Sequence, residues 1–547
     1  MKKALPIGIK NYRKLKEDDY YSIDKSLIIK EFLDRKTEVT LITRPRRFGK
    51  TLNMSMLAEF FDITKDSKDL FKDTKIMETE YCSYLNQYPT IFISFADAKR
   101  NQNDIVKEIK LQLRNEYDRY SYIFNNLTRF EKEEYEEIIN HSLKLSIKTL
   151  DNISNVLSFL MKILEKYYGK RVMVFIDEYD TPFIEGHVGK FYDEIRSGLA
   201  SMLHNALKTS NSLEYALLTG IQRVAKENIC SDLNNPVVCT VNDKRYSQYF
   251  GFNEDEVKEL LSYYGLELNE QVKEMYDGYH IGDNEIYNPW SLINYAKSRK
   301  LEPYWVNTSA NNMIRYALEK AKHDFFKEYE ELIEKGYLDT WVVLETSFYE
   351  VSTTPCLWGL FINAGYLTIV ETMDESNGYY KIKVPNKEVQ NEFKSLTSYY
   401  LKISETELSK MFQGLIYQKA DMFIETYQNI LLTMPSYHDL ISENSYHMMM
   451  LGMSAWLSND YKIISNKETG VGRCDIILKA KKDNLASYII EFKYSNNEKE
   501  DLDKLANQAI KQIKDNKYDI GIDGKVIYIG LGHYHKQVKM KWMEKGD

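Results

Sequence analysis

The chain has 547 residues, 43% hydrophobic and 28% charged, a balance that excludes a largely disordered chain and leaves room for three or four ordinary domains. The formal net charge of −8 excludes a surface that is basic throughout, while a local basic groove stays compatible with it. Five scattered cysteines (Cys82, Cys230, Cys239, Cys356, Cys474) exclude a disulfide framework and CxxC zinc ribbons. With no run of about 18 apolar residues and no apolar core in the first ten residues, a cytoplasmic protein without membrane contact is expected.

From residue 38 to about residue 241, short β-rich runs alternate with longer helical patterns. The runs are residues 39–43, 90–95, 172–176 and 215–219, with a fifth candidate at 237–241; helical patterns fill gaps such as 51–61 and 152–168. Such alternation predicts an α/β domain with a parallel sheet flanked by helices, assigned here to residues 1–252. The acidic run at residues 131–137 reads as a solvated helix face. A mostly helical middle region is expected over 253–440, with a hairpin at 366–384 split by the polar stretch 374–378. A further strand-and-helix unit, residues 441–547, is long enough for its own core.

The first chemical motif is Arg44-Pro45-Arg46-Arg47-Phe48-Gly49-Lys50-Thr51, which leaves a predicted strand and opens a predicted helix. That is the context of a P-loop, with arginine in place of the first glycine. Gly49 lets backbone N–H groups approach phosphate oxygens, and the helix N-terminus adds positive partial charge. Lys50 is expected at the β/γ-phosphates and the Thr51 hydroxyl on Mg2+, with ATP as the ligand. Arg44, Arg46 and Arg47 are candidates for further phosphate or sensor contacts; a plain basic turn before a helix is the competing reading. The second motif, Val172-Met173-Val174-Phe175-Ile176-Asp177-Glu178-Tyr179-Asp180, ends a buried strand in acids. Asp177 is expected to hold Mg2+, and Glu178 to orient or deprotonate the attacking water. Asp180 reads as a helix N-cap. On the next strand Thr219 is a candidate γ-phosphate sensor and Arg223 a stabiliser of transition-state charge; a buried strand end followed by a solvated arginine explains the same residues.

The phosphate-loop motif, followed by Leu218-Thr219-Gly220, Asn234-Asn235 and Phe250-Gly251-Phe252, resembles a bacterial family of AAA-like ATPases, in which arginine also replaces the first glycine. Leu5-Pro6-Ile7-Gly8-Ile9, Asp24-Lys25, Tyr276-Asp277-Gly278-Tyr279 and Tyr287-Asn288-Pro289-Trp290-Ser291 extend the likeness over most of the first 310 residues. AAA-like sites often borrow an arginine from a neighbouring copy, so the resemblance implies a homo-oligomer through this domain.

Near the C-terminus, Asp475 heads one apolar run, and Glu491 and Lys493 close another. Residues two apart on a strand share a face, so Glu491 and Lys493 project together. A polar break at 481–484 suits a hairpin turn that would bring Asp475 beside them. Two carboxylates binding Mg2+ or Mn2+, with a lysine to orient water or stabilise charge, suit phosphodiester cleavage. A solvated strand edge of alternating charge is the bland alternative. The layout resembles the PD-(D/E)XK nuclease superfamily, and most closely the nuclease-like domain accompanying the ATPase family above, through the segment Ser465-Asn466-Lys467-Glu468-Thr469-Gly470-Val471-Gly472-Arg473-Cys474-Asp475. Cys474 stands where the superfamily has proline. The resemblance implies an upstream helical acid, for which Glu443 is the candidate metal ligand, and Gln512 is expected to approach the site. His447, in an apolar helical stretch, is expected to be a packing residue, and His533 and His535, without Cys or His partners at zinc spacing, are assigned no role.

These readings together predict an ATP-binding and ATP-hydrolysing protein coupled to a metal-dependent nuclease acting on DNA, or else RNA. The alternative is a nucleotide-dependent switch whose C-terminal domain binds a partner without cutting.

Overall fold

The structure is a computed structural model. It describes residues 2–223, 236–305, 314, 318, 323–345, 353–390, 403–433, 443–457, 460–469 and 472–546. These form two compact units, residues 1–321 with 340–389 and residues 322–339 with 390–547.

In the first unit the β-branched and aromatic runs become five strands: β1 (Val39–Thr43), β2 (Thr90–Ser94), β3 (Val172–Asp177), β4 (Leu213–Gly220) and β5 (Val237–Cys239). All four pairings are parallel, in the order β2-β3-β4-β1-β5. Every residue of β1 and β3 is buried, as expected of strands covered by helices on both faces. Val174, Phe175 and Ile176 are wholly inaccessible, and each such side chain contributes about 1.5–3 kcal/mol relative to exposure. Helix α1 (Lys50–Phe61) buries ten of its twelve residues, because the sheet covers one side and further elements of the unit the other. Helix Val156–Tyr168 begins four residues later than the periodicity suggests, because residues 151–155 are taken up by turns. The fifth strand is shorter than its apolar run and ends at Cys239.

Beyond residue 253 the described residues up to 433 are mostly helical, as expected, with a strand Leu338–Trp341 and a short hairpin besides the expected one. Tyr279–Ile281 and Asn284–Ile286 form a short antiparallel hairpin, too brief to register as an alternating pattern. The hairpin expected at 366–384 is present as β6 (Thr368–Asp374) and β7 (Tyr379–Lys383). The acidic run lies on helix Arg129–Glu137, which has no buried residue.

The second unit is built on β8 (Tyr461–Thr469), β9 (Gly472–Ala480), β10 (Ser487–Tyr494), β11 (Val526–Tyr534) and β12 (Gln537–Glu544), in that order. The β10–β11 pair is parallel and the other three pairs are antiparallel. Parallel neighbours need a crossover, supplied by helix Leu502–Asp515. Gly530 and Gly532 let that helix lie close to the sheet: a β-carbon would stand 2.2 Å from the Ala506 carbonyl at the first and 2.4 Å from that of Leu502 at the second. An apolar core in this unit gathers side chains from helices Glu405–Ile416, Ala420–Thr433 and Glu443–Ser454 and from the sheet. Among the described residues no helix is long and apolar enough to cross a membrane.

Candidate functional site

At the C-terminal ends of β1 and β3 the chain turns into a cavity of about 510 Å3. Gly49 adopts φ +83° and caps α1, a conformation that glycine reaches without strain. Lys50 is 5% exposed, and its ammonium donates to the carbonyls of Arg44 and Pro45, both at 2.9 Å. Burial lowers its pKa, while Glu178 and Asp177 pull the other way. Thr51 donates its hydroxyl to Asp177 Oδ2 at 2.7 Å, which joins the phosphate-loop motif to the acidic strand. Asp177 also accepts from Thr219 (2.8 Å) and Ser94 (3.2 Å). Burial is the main reason its pKa is raised, the charge of Glu178 adding to it.

Glu178 lines the cavity with φ +50°. Burial alone would raise its pKa, but Lys50, Lys99, Arg46 and the Thr181 hydroxyl together hold it below the usual value. Ser94 and Lys99 are the residues that the sequence reasoning missed. Ser94 pairs in register with Asp177 at the strand ends, so aligning those ends would have found it; nothing local marks Lys99.

Two side chains lie elsewhere than expected. Arg44 is fully buried and donates to the carbonyls of Thr43, Cys239, Thr240 and Arg245, at 2.8, 2.9, 2.8 and 3.2 Å. Its guanidinium thus ties β5 and the following loop to β1 instead of lining the cavity, because its five N–H donors find four backbone carbonyls within reach there. Arg223 is bound to Glu345 and is likewise absent from the cavity wall. Arg46, Arg47 and Phe48 do line the cavity, Arg47 with its guanidinium 4.1 Å from the centroid of the Trp290 ring.

Asp180 occupies the N-cap position of helix Thr181–Val188 without making the side-chain bond of a cap. Its Oδ2 accepts instead from the backbone of Ile221 (2.8 Å) and Gln222 (3.0 Å). Gly220 makes this approach possible, since a β-carbon there would be 2.7 Å from Asp180 Oδ1. The glycine of Phe250-Gly251-Phe252 has a similar basis: at φ +110°, a β-carbon would meet Ile286 at 2.1 Å and Phe48 at 3.2 Å. Phe252 and Tyr287 exchange backbone hydrogen bonds of 3.0 and 2.7 Å. Tyr279 packs edge-on against Phe48. Motifs far apart in sequence therefore back the phosphate loop. Asn234 and Asn235 lie outside the described residues.

In the second unit the expected hairpin pairing is present, with Ile476 opposite Ile490, Ile477 opposite Ile489 and Leu478 opposite Tyr488. The Asp475 backbone N–H lies 3.3 Å from Glu491 Oε2, and Phe492 N–H donates to Asp475 Oδ2 at 2.9 Å. Lys493 reaches Glu491 at 3.8 Å and Glu443 at 3.3 Å, and the Gln512 amide donates to Glu491. Burial, then the charge of Asp475, pushes the Glu491 carboxyl well above the usual range, with Lys493 opposing. Glu443 joins the group through Lys493 and not through the acid pair; among the described residues no three His, Cys, Asp or Glu side chains form a metal cluster. His447 bonds Ser465 at 2.8 Å and His533 bonds Tyr427 at 3.0 Å, both buried, as packing residues are.

Residues 6–230 match the model of a family described as a predicted AAA-ATPase, and residues 441–543 match that of the PD-(D/E)XK nuclease superfamily. A protein of Azotobacter chroococcum mcd 1, named "Uncharacterized protein in vnfD 5'region", is 28% identical over 395 residues, which is 71% of this chain and 69% of the relative. The chain thus carries two likenesses in one polypeptide, residues 6–230 to the predicted AAA-ATPase family and residues 441–543 to the PD-(D/E)XK nuclease superfamily.

Proposed function

We propose that the protein binds and hydrolyses ATP in the first unit and that nucleotide state governs metal-dependent cleavage of DNA by the second. The observation that carries the ATPase reading is the Thr51–Asp177 hydrogen bond of 2.7 Å beside the buried Lys50. It joins the Asp177 carboxylate to Thr51, which lines the cavity together with Lys50, and this supports a cation held beside the phosphates. The donors around Asp177 are all oxygen, which suits Mg2+. Thr51 and Asp177 would hold that ion, which when bound neutralises developing phosphate charge. In this reading Glu178 takes the proton of the attacking water, Arg46, Arg47, Phe48 and Gly49 bind the phosphates, and Thr219 acts through Asp177. Arg44 acts through its backbone carbonyl, and Arg223 requires release from Glu345 to reach phosphate. In the second unit Asp475 and Glu491 would hold Mg2+ or Mn2+, because crowded carboxylates favour a cation between them. Lys493 stabilises charge on the phosphodiester, and Glu443 orients Lys493.

The middle region, residues 253–440, is the proposed transmitter between the domain at 1–252 and the domain at 441–547. Association between copies through the ATPase domain and a cytoplasmic setting belong to the same reading. The second reading, a switch that binds a partner without cutting, draws on Glu443 lying against Lys493 (3.3 Å) and not with the acid pair. Plasmid DNA and a structured RNA, each incubated with the full chain and Mg2+ or Mn2+, with and without ATP, separate the two. ATP-responsive cleavage of DNA supports the first. Nucleotide turnover with intact nucleic acid under every condition supports the second, and absence of ATP binding overturns both.

A further inference from the structure

The Tyr287-Asn288-Pro289-Trp290-Ser291 stretch and the buried Glu388 take no part in the chemistry above, yet they meet behind the phosphate loop. Asn288 caps helix α2 (Pro289–Ser298), accepting from the backbone of Trp290 at 2.9 Å and of Ser291 at 3.3 Å. That cap sets Trp290 in the cavity wall under the Arg47 guanidinium, with its indole N–H donating to the Tyr304 carbonyl at 3.0 Å. Trp305, buried, donates its indole N–H to the Arg46 carbonyl at 3.4 Å. Gly365 fills the space beside it, where a β-carbon would lie 3.3 Å from the Trp305 ring and 2.9 Å from Pro45. Two tryptophans therefore bear on two consecutive loop residues, one on a side chain and one on a carbonyl.

A single carboxylate bonds Trp305 and Ser291, the residue after Trp290. Glu388, with no exposed surface, accepts from the Trp305 backbone N–H at 2.7 Å and from the Ser291 hydroxyl at 2.8 and 3.0 Å. The titratable groups around it are the phenols of Tyr276, Tyr279 and Tyr304. Among the described residues no lysine or arginine pairs with it. Without a cation beside it, burying this group in its charged form is costly, so its hydrogen bonds to Trp305 and Ser291 carry its placement.

We propose that Glu388 is a positioning residue of the nucleotide site, clamping Trp290 and Trp305 so that Arg47 and Arg46 are presented to phosphate. The inference rests on the nucleotide reading of the cavity. It is tested on the full chain by calorimetric titration with ATP, inorganic tripolyphosphate and adenosine, comparing wild type with Glu388→Ala, Glu388→Gln and Ser291→Ala. Removing the clamp weakens ATP and tripolyphosphate about tenfold or more in Glu388→Ala. Glu388→Gln, whose amide oxygen still accepts from Trp305 and Ser291, stays within about threefold of wild type. Ser291→Ala, which loses one hydroxyl and little volume, falls about three- to tenfold. Adenosine, lacking phosphate, binds every variant as it binds wild type.

Wild-type ATP affinity in Glu388→Ala overturns the proposal, as does an equal loss for adenosine, which would mark a merely structural role. If Glu388→Ala fails to fold, Ser291→Ala decides: unchanged ATP and tripolyphosphate affinity there overturns the clamp. A wild type that binds neither phosphate ligand fails the nucleotide reading itself, which is a distinguishable result.

Discussion

Lys50 and Glu178 line the same cavity, and the proposed function gives them opposite tasks that their variants separate. Lys50→Ala removes the charge meant for the β/γ-phosphates and is expected to weaken ATP binding about a hundredfold or more; unchanged affinity in a labelled-ATP assay would reject the phosphate-loop assignment. Glu178→Gln keeps the shape and removes the base, so binding stays near wild type while turnover falls about 10²–10⁴-fold. Turnover within twofold of wild type would make Glu178 a conformational residue, held at φ +50° for the turn alone. Glu388 carries a pH signature. Burial pushes its carboxyl up to about 7 from the ordinary 4.5, so the folded chain keeps a proton that the unfolded chain sheds. Its contribution is therefore full below the ordinary value, declines as pH rises, and is lost above about 7. The span is worth about 3 kcal/mol at most. Urea unfolding at pH 5 and pH 8 should show wild type losing more stability than Glu388→Gln between the two; parallel behaviour would mean the carboxyl titrates normally.

At the scale of elements, helix Leu502–Asp515 depends on two glycines in the strand beneath it. Gly530→Ala places a methyl 2.2 Å from the Ala506 carbonyl, so the helix must lift. Overpacking of this kind costs about 1–3 kcal/mol, readable as a lowered thermal transition of the second unit. Gln512 rides on the same helix and donates to Glu491, so metal-dependent cleavage should fall with it while ATP binding stays unchanged. Cleavage at the wild-type rate in a destabilised Gly530→Ala protein would show that the Gln512 contact is dispensable.

For the molecule as a whole, the two sites lie in separately packed units, so their variants should act independently on basal chemistry. Asp475→Ala and Glu491→Ala are each expected to abolish Mn2+ binding by the second unit and nucleic-acid cleavage, with ATP hydrolysis in the absence of nucleic acid within about twofold of wild type. Lys493→Ala should keep Mn2+ binding and lose rate, since its charge acts on the transition state. Calorimetry with Mn2+ beside a cleavage assay distinguishes these outcomes. Loss of ATP hydrolysis in Asp475→Ala would contradict the independence.

What the linear chain determined is whatever depends on short-range periodicity and on residue types next to one another. Buried parallel strands announce themselves as apolar runs, so β1, β3 and β4 were legible within a residue or two. The phosphate loop was legible because Gly49-Lys50-Thr51 must be contiguous to wrap one ligand. The hairpin holding Asp475 against Glu491 followed from period-two alternation about a polar break. Tertiary structure alone decided where long side chains with several acceptors would go. Arg44 reads as a phosphate contact beside Lys50, yet the carbonyls it binds lie about 200 residues further on, and only folding makes them its nearest acceptors. Asp180 reads as a cap, yet the room left by Gly220 on a neighbouring strand lets it accept from the backbone amides of Ile221 and Gln222 instead. Arg223 was drawn to Glu345, and Glu443 to Lys493, by charges that become neighbours only through packing. Glu388 carried no local signal at all, because its partners, the Ser291 hydroxyl and the Trp305 backbone N–H, lie more than 80 residues earlier and reach it only through folding.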